Sequence, residues 1–344
     1  MFGLAGLLGL LVVGLSVDMS DETTAPGDPD DPEGGADGDQ GTAEPADPTA
    51  AGSIQAFIFG EGEEDTATGT EGDDTIGGTG EADDIHAAGG DDVVYGAAGD
   101  DSLTGGDGSD RLDGAGDGDR IEGGSGNDHL RGDFGNDILD GHAGNDALLG
   151  QSGDDAMQGD SGNDTLIAGA GADLLSGGNG DDGLMGCVGD DQLTGGDGAD
   201  TLNGNAGADM IFGVTPGHGQ GATPDDATPD YLNGGNDDDA LFLGAGDNAN
   251  GGAGDDSFTI GDWIADGGPA RIEDYDADAD ALVVVYDDAA HPDPELTVES
   301  AAGNPDNAQL LLDGLPLVEV TGAAGLSPSQ VSLVAQSALE AAAA

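Results

Sequence analysis

Residues 123–167 read as five consecutive blocks of nine: GGSGNDHLR from Gly123, GDFGNDILD from Gly132, GHAGNDALL from Gly141, GQSGDDAMQ from Gly150 and GDSGNDTLI from Gly159. Each block opens with glycine, repeats glycine at its fourth position, and carries Asp at the sixth and an apolar residue at the eighth. Outward from this stretch the period runs without a slip from Gly69 to Phe212. Across these 16 blocks position 6 is always Asp, position 8 is always Ile, Val, Leu or Met, and positions 1 and 4 are Gly in 14 of 16 each. Four columns held over 144 residues are a structural repeat, not a Gly/Asp-rich low-complexity tract.

Each column has its own physical reason. Glycine reaches positive φ at little cost, so positions 1 and 4 are expected to turn the chain tightly and gather backbone carbonyls. An Asp carboxylate is a hard oxygen ligand, of the kind Ca²⁺ takes in sets of six to eight. Position 8 is expected at the middle of a three-residue strand, pointing opposite to positions 7 and 9. As the dependable apolar column, it must face inward.

The block resembles G-G-x-G-x-D-x-U-x, the nonapeptide of the repeats-in-toxin (RTX) family. The resemblance implies an all-β fold: a parallel β-roll, or right-handed β-helix solenoid, with two blocks per turn and Ca²⁺ held between successive turns on each edge. It places Asp74, Asp92, Asp110, Asp128, Asp146, Asp164, Asp182 and Asp200 along one edge. Asp83, Asp101, Asp119, Asp137, Asp155, Asp173, Asp191 and Asp209 then line the other, and Asp230, Asp239 and Asp256 extend the set beyond the unbroken register. Sixteen blocks make about eight turns, hence about seven inter-turn sites per edge and about 14 ions.

Calcium is expected to be part of the fold itself. One buried aliphatic side chain per nine residues does not offset the ordering of nine backbones, and the chain has 69 glycines. Strands stack ~4.8 Å apart, so carboxylates in register repel by ~1 kcal/mol per neighbour even in water. A bound cation reverses both effects, because its binding free energy becomes folding free energy.

The chain has 73 Asp and Glu against four Arg and no Lys, for a formal charge of −69. Nucleic acid and anionic membrane surfaces are excluded as partners. About 14 calcium ions would leave about −41, enough to keep the loaded form soluble. Such acidity also fits a salt-adapted protein, and the two readings are compatible.

In chain order, residues 1–17 form a hydrophobic N-terminal segment, of which 2–17 carry no charge. A 16-residue helix spans ~24 Å, short of the ~30 Å hydrocarbon core. No Lys or Arg precedes it and no A-x-A site follows. Three readings stay open for it: weak membrane association, an unusual export signal, or self-association. Residues 18–53, with five prolines and no aromatic, read as a disordered acidic linker. The roll is expected over 54–259, with Ile58 at position 8, Asp65 at position 6, and Phe57 and Phe59 covering its open end.

A Pro/Gly-rich insertion loop occupies 213–229, after which blocks resume at Asp230 and Asp239. The following block reads as degenerate, with Asn248 and Asn250 at the key columns, and a one-residue slip precedes the copy containing Asp256 and Phe258. Residues 260–334 read as a β-rich C-terminal cap, with strands near 282–286, 295–299, 308–312 and 315–320 and a short helix from Ser327. An Ala-rich tail, 335–344, closes the sequence, and 326–344 is the candidate signal for a type I exporter that the resemblance implies.

Other motifs carry little. Asp276, Asp278 and Asp280 imitate an EF-hand, but Ala281 stands where Gly is needed, so an acidic turn is the better reading. His86, His129, His142, His218 and His291 form no H-E-x-x-H pair, no G-x-S-x-G elbow occurs, and Cys187 is a lone thiol. No catalytic residue set emerges, so the chain is read as no enzyme. The expected function is a secreted or surface-associated bacterial calcium-binding protein with a structural, adhesive or surface role. The partners expected are calcium ions and the type I secretion machinery. The competing reading is a secreted hydrolase carrying an RTX export module, against which stands the short sequence on either side of the repeats.

Overall fold

The structure, a computed structural model, describes residues 57–58, 65–214, 228–261 and 268–338. The readings placed on 1–17, on 18–53, on Phe59, on most of the insertion loop and on the end of the tail lie outside the described residues.

The chain winds into a parallel β-solenoid. Alternate strands join a 15-stranded and a 13-stranded sheet, so within the repeats each strand pairs with the strand two along the chain. Arg120–Ser125 pairs with Ile138–Ala143, and His129–Phe134 with Ala147–Ser152, each pair 18 residues apart in register. Position 8 of both sheets fills the space between them: Leu112, Ile121, Leu130, Leu139, Leu148 and their equivalents are buried in one continuous core.

Two expectations about the repeat are corrected. Most strands are six residues long, not three; Ile138–Ala143 is typical and runs from position 7 of one block to position 3 of the next, while Thr75–Gly77, Val93–Tyr95 and Met210–Phe212 keep the expected three. Positive φ falls at positions 2 and 4, not 1 and 4. At position 4 Gly126 has φ 130° and Gly135 φ 141°, and at position 2 Asp133, His142, Gln151 and Asp160 take φ of 69–84°. Position 1 is small for lack of room: a Cβ on Gly150 would overlap Asp155 Oδ2 and come within 2.8 Å of the Ala168 carbonyl.

The first and last turns also depart from the expected register. Phe57, not Ile58, pairs with Ile76, whereas Asp65 pairs with Asp83 as expected and Ala67 takes the inward column beside Ile85. Near the insertion, Asn248 pairs with Tyr231 and Ala249 with Leu232. Asp247 and Ala249 therefore hold positions 6 and 8, and the one-residue deletion lies before Asp247 rather than after Asn250. The alternative register would turn the Asn250 amide into an apolar core, because a one-residue slip flips every side chain.

Beyond the repeats, Ala270–Ile272 and Ala281–Tyr286 continue the two sheets in parallel. Leu315–Val320 follows Ala270–Ile272, then Ala308–Leu312 and Leu296–Ser300 add antiparallel strands. Val331–Ala335 ends the second sheet beside Ala281–Tyr286. Ala281–Tyr286, Leu296–Ser300, Ala308–Leu312 and Leu315–Val320 lie within a residue of the positions expected from the sequence, Ala270–Ile272 and Val331–Ala335 were not expected, and Ser327 caps a 3₁₀ turn over Pro328–Gln330. Leu310, Leu312, Leu317 and Val318 bury a thicker apolar layer here than one side chain per nine residues supplies elsewhere.

Candidate metal-binding edges

The position-6 carboxylates form two continuous columns where the chain passes from one sheet to the other. Their backbone is held by strand hydrogen bonds on both sides; the Asp101 carbonyl accepts from the Arg120 amide at 2.8 Å, for example. The side chains are buried: Asp110, Asp119, Asp128 and Asp137 are each 1 % exposed and Asp182 and Asp191 3 %. Burying an ionised carboxylate is expensive unless each oxygen finds a partner.

One oxygen does. From Asp92 onward Oδ1 accepts the amide of the Asp one turn earlier: Asp92 from Asp74 at 2.6 Å, Asp110 from Asp92 at 2.8 Å, Asp119 from Asp101 at 2.9 Å and Asp155 from Asp137 at 2.9 Å. The columns run from Asp74 to Asp247 on one edge and from Asp83 to Asp280 on the other. All of Asp74 to Asp209, with Asp230, Asp239 and Asp256, are thus brought into these two rows.

The other oxygen does not. From Asp92 to Asp191, and again at Asp209 and Asp239, Oδ2 is buried with no hydrogen-bond partner. In most blocks it lies over the position-1 glycine of its own block, and in several it faces the position-1 carbonyl of the next turn. A Cβ placed on Gly159 would overlap Asp164 Oδ2 and sit 2.6 Å from the Gly177 carbonyl; Gly177 stands in the same relation to Asp182 and Gly195. The result is a file of small cradles in which carboxylate and carbonyl oxygens come together. Burial drives these carboxyls up from 3.8, the accepted amide hydrogen bond opposes it, and neighbouring carboxylates add to the rise. Asp119, Asp146, Asp155, Asp182 and Asp239 reach about 7, and Asp101, Asp110, Asp191 and Asp209 about 6. Stacked carboxylates with an orphaned, buried oxygen beside backbone carbonyls suit a hard divalent cation that takes many oxygens, which is Ca²⁺.

The first turns differ. Asp74 Oδ2 accepts from the Thr70 amide at 2.6 Å and its hydroxyl at 3.0 Å, and Asp83 Oδ2 from the Thr79 amide at 2.6 Å. Protein donors there do what a cation would do elsewhere. At the far end Asp247 Oδ2 accepts from the Gly244 amide at 2.6 Å.

Two members of the columns were missed in the sequence. Asp247 was hidden by the displaced deletion, although Ala249 is the residue of its block fit for an apolar column. Asp280 was read as part of an acidic turn beyond the repeats, yet it stands two residues before the inward Leu282, the spacing of every block. Its Oδ1 accepts from Asp256 N at 3.0 Å and its Oδ2 from Asp276 N at 2.7 Å, so the Asp276–Asp280 stretch is a hydrogen-bonded acidic turn. Position 5, taken as variable, also carries a ladder: Asn127 Oδ1 accepts from Asn145 N at 2.8 Å, and Asn145 Oδ1 from Asn163 N at 2.7 Å. Cys187 occupies position 2, where burial raises its thiol.

Compared with known families, the chain matches the RTX calcium-binding nonapeptide repeat (4 copies) over residues 59–94, 77–112, 86–121, 113–148, 149–184, 188–213 and 226–249. No curated protein matches it.

Proposed function

The chain belongs to the RTX calcium-binding nonapeptide repeat family, and on that premise we propose that it is a secreted or surface-associated bacterial protein whose roll folds on meeting Ca²⁺ outside the cell. As a member it binds calcium, several ions to a chain. The ions are held along the two edges by Oδ2 of the position-6 Asp residues, from Asp92 onward, together with glycine carbonyls. Asp74 and Asp83, whose outer oxygens already have donors, are the weaker end of the rows.

The observation that carries this reading is the file of buried, partnerless Oδ2 atoms from Asp92 to Asp191. A bound ion supplies the positive charge that these oxygens and their stacked neighbours need. Extracellular calcium modules bind at ~10⁻⁴–10⁻³ M. Low cytosolic calcium would therefore leave the repeats unfolded for a type I exporter, and millimolar calcium outside would fold them. Residues 260–334 serve as the cap of the roll and 18–53 as a linker. With the chain at −69, nucleic acid is no partner. The role is non-catalytic: structural, adhesive or coating, with residues 2–17 as a weak membrane attachment.

Circular dichroism of the full chain at neutral pH tests this. Strand signal should appear cooperatively as calcium is added and vanish with a chelator. A strand signal indifferent to chelation would refute it.

A further inference from the structure

A second group of ligand atoms lies on the outer face of the sheet containing Ile138–Ala143, in positions 9 and 2 of the repeat rather than position 6. Asp140 and His142 share that strand, Asp160 lies in the next, Ala156–Ser161, and Glu122 in the preceding one, Arg120–Ser125. One donor atom from each of Asp140, His142 and Asp160 lies within 4.8 Å of the others, the one such group among the described residues.

His142 Nδ1 stands between two carboxylates, with a long hydrogen bond to Asp160. His142 Nδ1 is 3.3 Å from Asp140 Oδ1 and 3.4 Å from Asp160 Oδ2. Both exceed the ~2.9 Å usual for N–H···O, and a single ring N–H does not serve two acceptors well. A tetrahedral zinc site with bonds of ~2.0–2.2 Å has ligand–ligand edges of ~3.3–3.6 Å, which these two separations match. Asp140 Oδ1 is also sealed from water and has no hydrogen-bond partner. The other ring nitrogen faces a carboxylate, with Nε2 3.9 Å from Glu122 Oε2. With an ion on Nδ1 the ring proton sits on Nε2, on the side of Glu122, the place of the outer carboxylate that orients ligating histidines. His142 holds φ 69°, the backbone state common to its column, so the fold itself sets where the ring projects. Burial raises the Asp140 carboxyl, with Asp160 and Glu122 adding to the rise against His142, so a cation would relieve the group.

We propose that Asp140, His142 and Asp160 bind one divalent transition-metal ion of the zinc class, with Glu122 orienting the imidazole and a fourth position open to water. Imidazole is a poor ligand for calcium and a good one for zinc, so the site is chemically separate from the Asp columns.

The full chain, folded in saturating calcium, is titrated with zinc chloride by calorimetry, and its cobalt(II) absorption is recorded for tetrahedral intensity. One tight equivalent is expected above the weak uptake of an acidic surface. H142N, which tolerates the left-handed backbone, and D140N should lose that equivalent and the cobalt bands. E122Q should keep the equivalent and bind about 10–100-fold more weakly, and H129N should match the unchanged protein. Tight zinc uptake that survives H142N, or a calcium-folded chain with only weak uptake, overturns the site. Circular dichroism on the same samples reads the calcium fold separately, so failure here leaves that reading standing.

Discussion

The amide of Asp209 donates to Asp239 Oδ1 at 2.8 Å across 30 residues of sequence, and the amide of Asp191 makes the same bond to Asp209 at 2.9 Å across 18. The carboxylate column thus passes the insertion without a break. On the other edge Asp200 and Asp230 are joined in the same way at 2.8 Å. The insertion leaves from the end of one strand and returns at the start of another, where extra residues cost only slowly growing loop entropy.

Deleting residues 216–227 restores the 18-residue spacing. The shortened chain should fold with a calcium midpoint within about twofold of the full one, since each doubling of loop length is worth only ~0.6 kcal/mol. Circular dichroism across a calcium titration measures it. Loss of cooperativity would mean that the insertion is part of the stack.

Asp155→Asn separates the two jobs of the column. The amide oxygen can still accept from Asp137 N, which now bonds Asp155 Oδ1 at 2.9 Å, while the buried second oxygen becomes NH₂. The variant should fold in saturating calcium but need more of it at the midpoint, with about one or two fewer ions bound per chain. Equilibrium dialysis gives the count.

Gly150→Ala places a methyl group against Asp155 Oδ2 and the Ala168 carbonyl, whereas Gly72→Ala meets nothing within 4 Å. The first should cost about 1–3 kcal/mol, the usual size of overpacking, and the second close to nothing. Urea unfolding in saturating calcium compares them. Ala87 and Ala168 stand at position 1 in two blocks, so the column can adapt where its neighbours have settled around a methyl group.

Metal-free stability should depend on pH in an unusual direction. The column carboxyls are raised in the folded, ion-free state to about 7 at Asp119, Asp146 and Asp155 and to about 6 at Asp101 and Asp110, from 3.8. A raised folded value means stability that is complete below the unfolded value and lost as pH rises through 6–7. In chelator, strand signal should therefore be greater at about pH 4–5 than at neutral pH, and the calcium midpoint should climb as the medium is acidified because protons and calcium compete. Circular dichroism at several pH values, with and without chelator, reads both.

Much of the fold is legible along the chain because a solenoid repeats one local arrangement. Asp at position 6 and an aliphatic at position 8, two residues on, put a carboxylate at the bend and a methyl-rich side chain in the core of every block. The cap strands were legible through alternation between prolines and glycines. Less legible were the features that depend on a neighbouring turn. Position 1 is small because Asp Oδ2 folds over it, a contact within the block that no propensity records. Position 5 passes for variable because Asp, Asn and Ser there all bond an amide one turn away.

The sequence by itself determined the period, the acidity and the need for a cation, since each follows from residue type at a fixed local spacing, and its resemblance to a known repeat implied the two Asp rows. Tertiary structure decided what happens between turns. It set the register that places Asp247 and Ala249, rather than Asn248 and Asn250, in the key columns. It carried the second row on to Asp280 and left one oxygen of each middle Asp without a partner. It also gathered Glu122, Asp140, His142 and Asp160 from three neighbouring strands. Spacing along a chain orders side chains within one block; which blocks lie side by side, and in what register, is chosen by the arrangement that buries the apolar column and keeps uncharged amides out of it.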